Sequence, residues 1–192
     1  MEARRNLLID NATALFIDRG IISVTMDELA KSSGMSKKTI YQCFSNKGIL
    51  VEAVIDHLIE QSKNIIHSNI DASDNPVQEL VLQRSLFNYL IALRHIFNDV
   101  MLKKYARALR AVREFKNNHL KTVIELNLTD GILKGIYRPG LDVSMIAAIY
   151  VSIADLYLFN NRKSQVEIFE ALHLFINGVI SNDGRRILEN YE

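Results

Sequence analysis

Apolar residues recur at three- and four-residue spacing along nearly the whole chain, the period of one helix face. Leu8, Ala12, Leu15 and Phe16 mark the inner face of a first helix ending near Gly20, a residue that accepts positive φ without steric cost. Thr25-Met26-Asp27-Glu28 reads as a capping box, in which the Thr25 hydroxyl accepts from the Glu28 amide and the Glu28 carboxylate reaches back. The helix it opens stops near Gly34, and Ser36 caps a second short helix, Lys37 to Phe44. Ser45 or Asn46 caps a long helix with Ile49, Leu50, Ala53, Val54, His57, Leu58, Ile65 and Ile66 on one broad face. The polar break Asp71 to Pro76 ends it, and a helix from about Pro76 to His95 follows. The region from Phe97 to Leu128 is helical by composition, without clear breaks. Thr129-Asp130-Gly131 and Arg138-Pro139-Gly140 read as turns. Asp142 and Ser164 cap two further helices, running to about Asn160 and about Ser181. The expected fold is all-α, with short helices in residues 1–46 and long ones in 47–192.

Composition narrows this further. At 192 residues and 48% hydrophobic, the chain can bury a sizeable core. With 23 Lys and Arg against 22 Asp and Glu, it is not a histone-like protein, although a local basic patch is compatible with the sum. One Cys excludes a disulfide framework and fits a reducing cytosol. Two Pro and 8 Gly argue against an all-β chain rich in tight turns. The longest apolar run, Met145 to Val151, is too short to span a bilayer. Arg4 and Arg5 precede Leu7-Leu8-Ile9, but Asp10 and Asn11 interrupt that run, so no leader peptide is expected. These features predict a soluble cytoplasmic protein without membrane association.

The segment Thr25 to Lys47 is the informative one. Its two helices of about two turns, joined across Gly34, make a helix-turn-helix, with Leu29, Ala30, Met35, Ile40 and Phe44 supplying the contacts between them. From Lys31 through Lys47 there are four Lys (31, 37, 38 and 47) and no acid, the concentrated positive charge that phosphate contacts require.

In this segment the chain resembles the TetR family of bacterial one-component regulators. Leu15-Phe16, Gly20, Thr25, Asp27, Leu29-Ala30, Gly34-Met35-Ser36, Ile40-Tyr41, Phe44, Lys47 and Leu50 all stand in the family's register. Cys43 departs from the aromatic residue or His common there, and Gly48 from an acidic residue. Gly48 weakens the start of the long helix by about 1 kcal/mol relative to Ala. The resemblance covers roughly the first quarter of the chain. It implies an N-terminal three-helix DNA-binding domain, 1–46, joined by a long helix to a helical effector-binding and dimerisation domain, 47–192, with about nine helices in all. It further implies that Lys37 to Cys43 is a recognition helix. Lys37, Lys38, Thr39 and Gln42 are then the candidates for base or groove contact, and Thr25, Tyr41 and Lys47 for phosphate contact. Gln42 is suited to adenine, whose N6 and N7 an amide engages together.

One short helix reads too few bases for useful specificity, so a homodimer on a palindromic double-stranded operator is expected. The last two helices are apolar on most sides and offer the dimer surface, with Tyr157, Leu158, Phe169, Leu172, His173, Ile176 and Ile180 as candidates. A small-molecule effector would lie among the middle helices, lined by Phe87, Phe97, Met101, Tyr105, Tyr150, Asp155 and Phe159. Asp155 either orients that ligand or pairs with a base from Lys103 to Lys121. That stretch holds seven basic residues and one acid, and reads either as a positive mouth for an anionic effector or as a solvated helix face. In a continuous helix Lys103, Arg107 and Arg110 share one side.

Glu170-x-x-His173 has the spacing of half a di-iron site, but no second copy exists, so no metal is expected. No phosphate-loop, dinucleotide or nucleophile-elbow pattern occurs, and neither a cofactor nor an enzymatic activity is expected. The expected function is a ligand-responsive transcriptional repressor. The alternatives are an all-helical enzyme or adaptor that keeps the fold without reading DNA, and a sequence-independent packaging protein, which the near-neutral charge disfavours.

Overall fold

The computed structural model of the chain describes residues 2–93, 96, 104–159 and 165–191, and the side chains of these apart from 157–159 and 165. Among the described residues the fold is all-α. The helices are α1 (Glu2–Arg19), α2 (Met26–Ser33), α3 (Lys37–Cys43), α4 (Lys47–Asp71), α5 (Pro76–Leu82), α6 (Arg84–Ala92), α7 (Ala106–Glu114), α8 (Lys121–Leu133), α9 (Val143–Phe159), α10 (Gln165–Val179) and α11 (Asn182–Leu188). A π-helical stretch, Phe115–Leu120, joins α7 to α8. The one β feature among these residues is an isolated bridge between Tyr137 and Ile180. No helix among them is long and apolar enough to cross a membrane.

The contacts form two compact units, Met1–Gln61 with Ala92–Arg113, and Ser62–Ile91 with Glu114–Glu192. By this criterion α4 contributes to both, whereas the change from short to long helices falls at residue 46.

The first unit is assembled from local signals. Gly20 adopts φ 77 and its amide closes α1 on Phe16 O at 2.9 Å. Thr25 and Glu28 form the reciprocal capping box, and Gly34 ends α2 in the left-handed region at φ 64. Ser36 Oγ caps α3 by accepting from Thr39 N at 3.1 Å. Asn46, rather than Ser45, caps α4, its Oδ1 accepting from Ile49 N at 3.0 Å. A Cβ on Gly48 would lie 3.0 Å from that Oδ1, so the glycine that weakens the helix start also leaves room for its cap. The helices α1, α2 and α3 pack on one another around Leu8, Phe16, Leu29, Ile40 and Phe44, all buried. Arg107 on α7 pairs with Glu52 at 3.3 Å and with Asp56 at 3.9 Å on α4.

In the second unit α8 packs against α5 and α9, α9 against α10, and α11 against α5. Asn75 caps α5 with Pro76 at its first turn, as the break at 71–76 predicts. The single helix expected from Pro76 to His95 is instead two segments meeting at Gln83, whose side chain is buried with Asn69. The turn expected at Thr129-Asp130-Gly131 is absent, because α8 continues to Leu133. Gly131 serves a close approach there, since its Cβ would fall 2.1 Å from the Tyr137 ring. Asp142 Oδ1 accepts from Met145 N at 3.0 Å, as the cap of α9 requires. The expected cap Ser164 lies outside the described residues. Ser181 opens the short α11.

Candidate nucleic-acid interface

The seven residues of α3 divide cleanly. Ile40 is buried, Thr39 and Cys43 are half-buried, and Lys37, Lys38, Tyr41 and Gln42 are exposed, Tyr41 at 49%. A helix held by one apolar residue and its flanking Phe44 has most of its circumference left to present a ligand surface. Of the expected groove-facing set, Lys37, Lys38 and Gln42 are exposed and Thr39 is half-buried, and α3 packs against α1 and α2.

The electrostatics refine the count of four free lysines. Lys37 Nζ sits 2.7 Å from Asp27 Oδ2, and that hydrogen bond raises its pKa above the ordinary lysine value. Asp27 stands on α2, ten residues away, so a window confined to Lys31–Lys47 misses it. Lys47 is partly buried and donates to the Ile22 carbonyl at 3.2 Å. Burial lowers its pKa, opposed by the charge of Glu28 and reinforced by that of Lys104. Thr25 gives both of its donors to Glu28 Oε2, the backbone N–H at 2.8 Å and the hydroxyl at 2.9 Å. These bonds hold the Glu28 carboxyl below the usual carboxylate range. In this arrangement Thr25 fixes the start of α2 and keeps no donor for a phosphate. Thr39 pairs its hydroxyl with that of Ser36 at 2.9 Å.

Two further cations belong to the same unit. Arg5 Nη1 donates to the Cys43 carbonyl at the end of α3 at 3.2 Å, and its guanidinium lies 4.4 Å from the Phe44 ring centre. It closes α3 at its C-terminus, where a cation also complements the helix dipole. Its only sequence signal is its place in an amphipathic first helix. Lys104 is exposed in the turn before α7, next to Tyr105, and its charge bears on Lys47.

The effector candidates do not form one lining within either unit. Phe87 and Tyr150 are buried in the second unit with ring centres 5.6 Å apart. Tyr105 belongs to the first unit, where its ring lies 4.0 Å from the position of a Cβ on Gly48. Phe97, Met101 and the side chain of Phe159 lie outside the described residues. Asp155 takes the second of its two expected roles, accepting a hydrogen bond from Lys116 Nζ. It borders a groove of about 300 Å³ with Asn117, Lys121 and Ser152. The basic stretch is therefore not one solvated face. Lys104, Arg107, Arg110 and Arg113 are exposed in the first unit, whereas Lys116 is buried in the second and Lys121 reaches Glu125 at 3.4 Å and Ser144 at 2.9 Å. Lys103 lies outside the described residues.

Among the dimer candidates, Leu172, Ile176 and Ile180 are buried in the second unit's own core. Phe169 and His173 are half-buried, and His173 Nε2 lies 2.9 Å from Asn177 Nδ2 on the same helix. The side chains of Tyr157 and Leu158 lie outside the described residues. Among the described residues, the large apolar side chains that α9 and α10 present to solvent are Met145, Ile149, Leu156, Val166 and Leu174. Among the described residues no group of three His, Cys, Asp or Glu is arranged to hold a metal ion.

Residues 8–54 match the model of the bacterial regulatory proteins of the tetR family. Over 151 residues the chain is 25% identical to the HTH-type transcriptional repressor KstR2 of Mycolicibacterium smegmatis, spanning 75% of this chain and 72% of that protein. Over 123 residues it is 25% identical to IcaR of Staphylococcus aureus strain Newman, the negative regulator of the biofilm operon icaADBC, spanning 64% of this chain and 63% of that one. Its fold matches the crystal structure of a transcriptional regulator from Cytophaga hutchinsonii with a TM-score of 0.71 and 18% identity, over 92% of this chain and 98% of that one. The family match falls on the same segment as the helix-turn-helix: residues 8–54 are similar to the bacterial regulatory proteins of the tetR family, and the likeness to solved structures extends the fold over the rest of the chain.

Proposed function

We propose that the chain is a cytoplasmic transcriptional repressor that binds a palindromic operator as a homodimer and releases it when a small molecule occupies the second unit. The observation that supports this reading is the outward face of α3, where Lys38, Tyr41 and Gln42 stand clear on a helix whose inner side, Ile40 with the flanking Phe44, is buried. Gln42 and Lys38 contact bases, Tyr41 and Lys47 hold phosphates, Lys37 exchanges Asp27 for the duplex, and Arg5 keeps α3 in position. The relatives named above are repressors, which favours repression over activation. Two copies meet through the exposed apolar face of α9 and α10, because a helical surface of that kind on both elements calls for a partner. Ligand control is a population shift carried by α4, which contributes to both units; a tenfold change in DNA affinity needs about 1.4 kcal/mol of differential binding.

Selection of bound duplexes from a random pool tests the reading. A two-fold symmetric sequence logo is expected, with the preference lost in Lys38→Ala/Gln42→Ala. A protein that binds operator and random DNA alike, or a double variant that keeps the logo, overturns it. No observation here favours the enzyme or adaptor reading.

A further inference from the structure

Helix α7 lies along the first half of α4, inside the unit that carries the helix-turn-helix. Two contacts fix its course. The Tyr105 ring stands 4.0 Å from the position of a Cβ on Gly48, the second residue of α4, and is half-buried there. The Tyr105 carbonyl accepts from Leu109 N at 3.0 Å, which starts α7. Arg107 then reaches Glu52 at 3.3 Å and Asp56 at 3.9 Å, one turn apart on α4. Residue 105 meets residue 48, and residue 107 meets 52 and 56, so α7 begins at the start of α4 and leads away from it.

Lys104 immediately precedes the anchored Tyr105 and is exposed. This places it beside Lys47, the first residue of α4, which follows closely on the end of α3. The charges register the proximity: burial lowers the Lys47 pKa, the Glu28 charge opposes that, and the Lys104 charge adds to the lowering. The carboxylates of this corner are engaged by other groups. Glu52 and Asp56 face Arg107, while Glu28 accepts from Thr25 and lies 3.5 Å from Arg19 Nη1. Two ammonium groups therefore share one edge of the unit. Like charges held together repel, and an anion that meets both relieves the repulsion.

Duplex DNA is an anion of the matching form, with one charge per roughly 1.7 Å of its axis, so a surface that brings Lys47 to one phosphate has others within reach of its neighbour. We infer that Lys104 is a second backbone contact of the DNA interface, and that the turn before α7 extends that interface past the start of α4. This rests on the proposal that α3 reads DNA with Lys47 on a phosphate. Such a contact fixes position without reading sequence. Arg113 supplies the control. It is exposed on the same helix, but roughly 9 Å beyond Arg107 at about 1.5 Å per residue, in the direction that leads away from Lys47.

Titration of the full chain with its selected operator and with a random duplex of equal length, at about 50 to 200 mM salt, tests the inference. Lys104→Gln should flatten the slope of log affinity against log salt by about 0.9 per subunit on both duplexes. Its operator preference and its melting temperature should stay those of the wild type. Lys104→Glu should bind both duplexes more weakly still, and Arg113→Gln should keep the wild-type slope. The inference is overturned if Lys104→Gln keeps the wild-type slope, if Arg113→Gln flattens it as much, or if Lys104→Gln alters the preference for the operator. A wild type without operator preference refutes the repressor reading alone, because the slopes on the random duplex still decide Lys104. Operator preference with an unchanged Lys104→Gln slope refutes this inference alone.

Discussion

Gly131→Ala tests whether α8 runs through its glycine for the reason the structure gives. A Cβ at this position would lie 2.1 and 2.3 Å from Cδ2 and Cε2 of Tyr137, and 2.7 Å from Cγ. Carbon atoms settle at about 3.5–4.0 Å, so the ring would have to move by roughly 1.5 Å. It is poorly free to do so. Its hydroxyl donates to Asn127 Oδ1 at 2.9 Å, its backbone N–H to Gly131 O at 2.9 Å, and its strand-like segment bridges Ile180. Asn127 in turn donates to the Pro76 carbonyl at 3.0 Å. Overpacking costs about 1–3 kcal/mol, and losing the buried Tyr137–Asn127 bond about 1–3 more. Alanine returns about 1 kcal/mol of helix propensity. The net loss is about 1–5 kcal/mol, and at about 2–4 °C per kcal/mol a drop of roughly 10 °C in melting temperature is expected. Melting at fixed protein concentration measures it, since a dimer's stability depends on concentration. In a Tyr137→Ala background the obstacle is gone, and the same substitution should stabilise by up to about 1 kcal/mol. Gly131→Ala as stable as the wild type, or equally harmful in both backgrounds, refutes the reasoning.

Asp27→Asn releases Lys37 from its 2.7 Å partner. The slope of log affinity against log salt should steepen by about 0.9 for any duplex, or about 3.5-fold more affinity gained between 200 and 50 mM salt; an unchanged slope means that Lys37 does not meet phosphate. Burial raises the pKa of Glu79, so its charged form disfavours folding. Glu79→Gln should therefore melt above the wild type at pH 8. That advantage should fade as pH falls through the raised folded value and vanish below the ordinary carboxylate range; a constant gap across pH would contradict the assignment. Leu174→Arg on α10 should halve the mass seen by light scattering, whereas Leu133→Arg at the end of α8 should not, although Leu133 is the more exposed at 81%. Equal behaviour of the two places the dimer surface elsewhere.

What could be read from the sequence follows the range of the interaction that determines it. Thr25 with Glu28, Gly34, Ser36 and Asn75-Pro76 act within four residues of themselves, so their caps were legible one residue at a time. The outward face of α3 was legible too, because seven residues with one buried apolar side chain leave little choice of side. Gly131 misled because its partner is a ring six residues on, across the end of a helix, and a glycine in Thr129-Asp130-Gly131 looks like punctuation. Lys37 seemed free because Asp27 sits on a different helix. A helix that is apolar on most sides does not say which side is core, and only packing turned Leu172 and Ile176 inward and Val166 and Leu174 outward. The basic stretch did not show its division, because Arg107 and Arg110 are exposed in the first unit whereas Lys116 is buried in the second, and charge spacing alone does not encode burial. Gln83 gave no signal at all, since a glutamine in a helix reads as solvated surface. It is fully buried beside Asn69, and burial is a property that no single-residue pattern encodes.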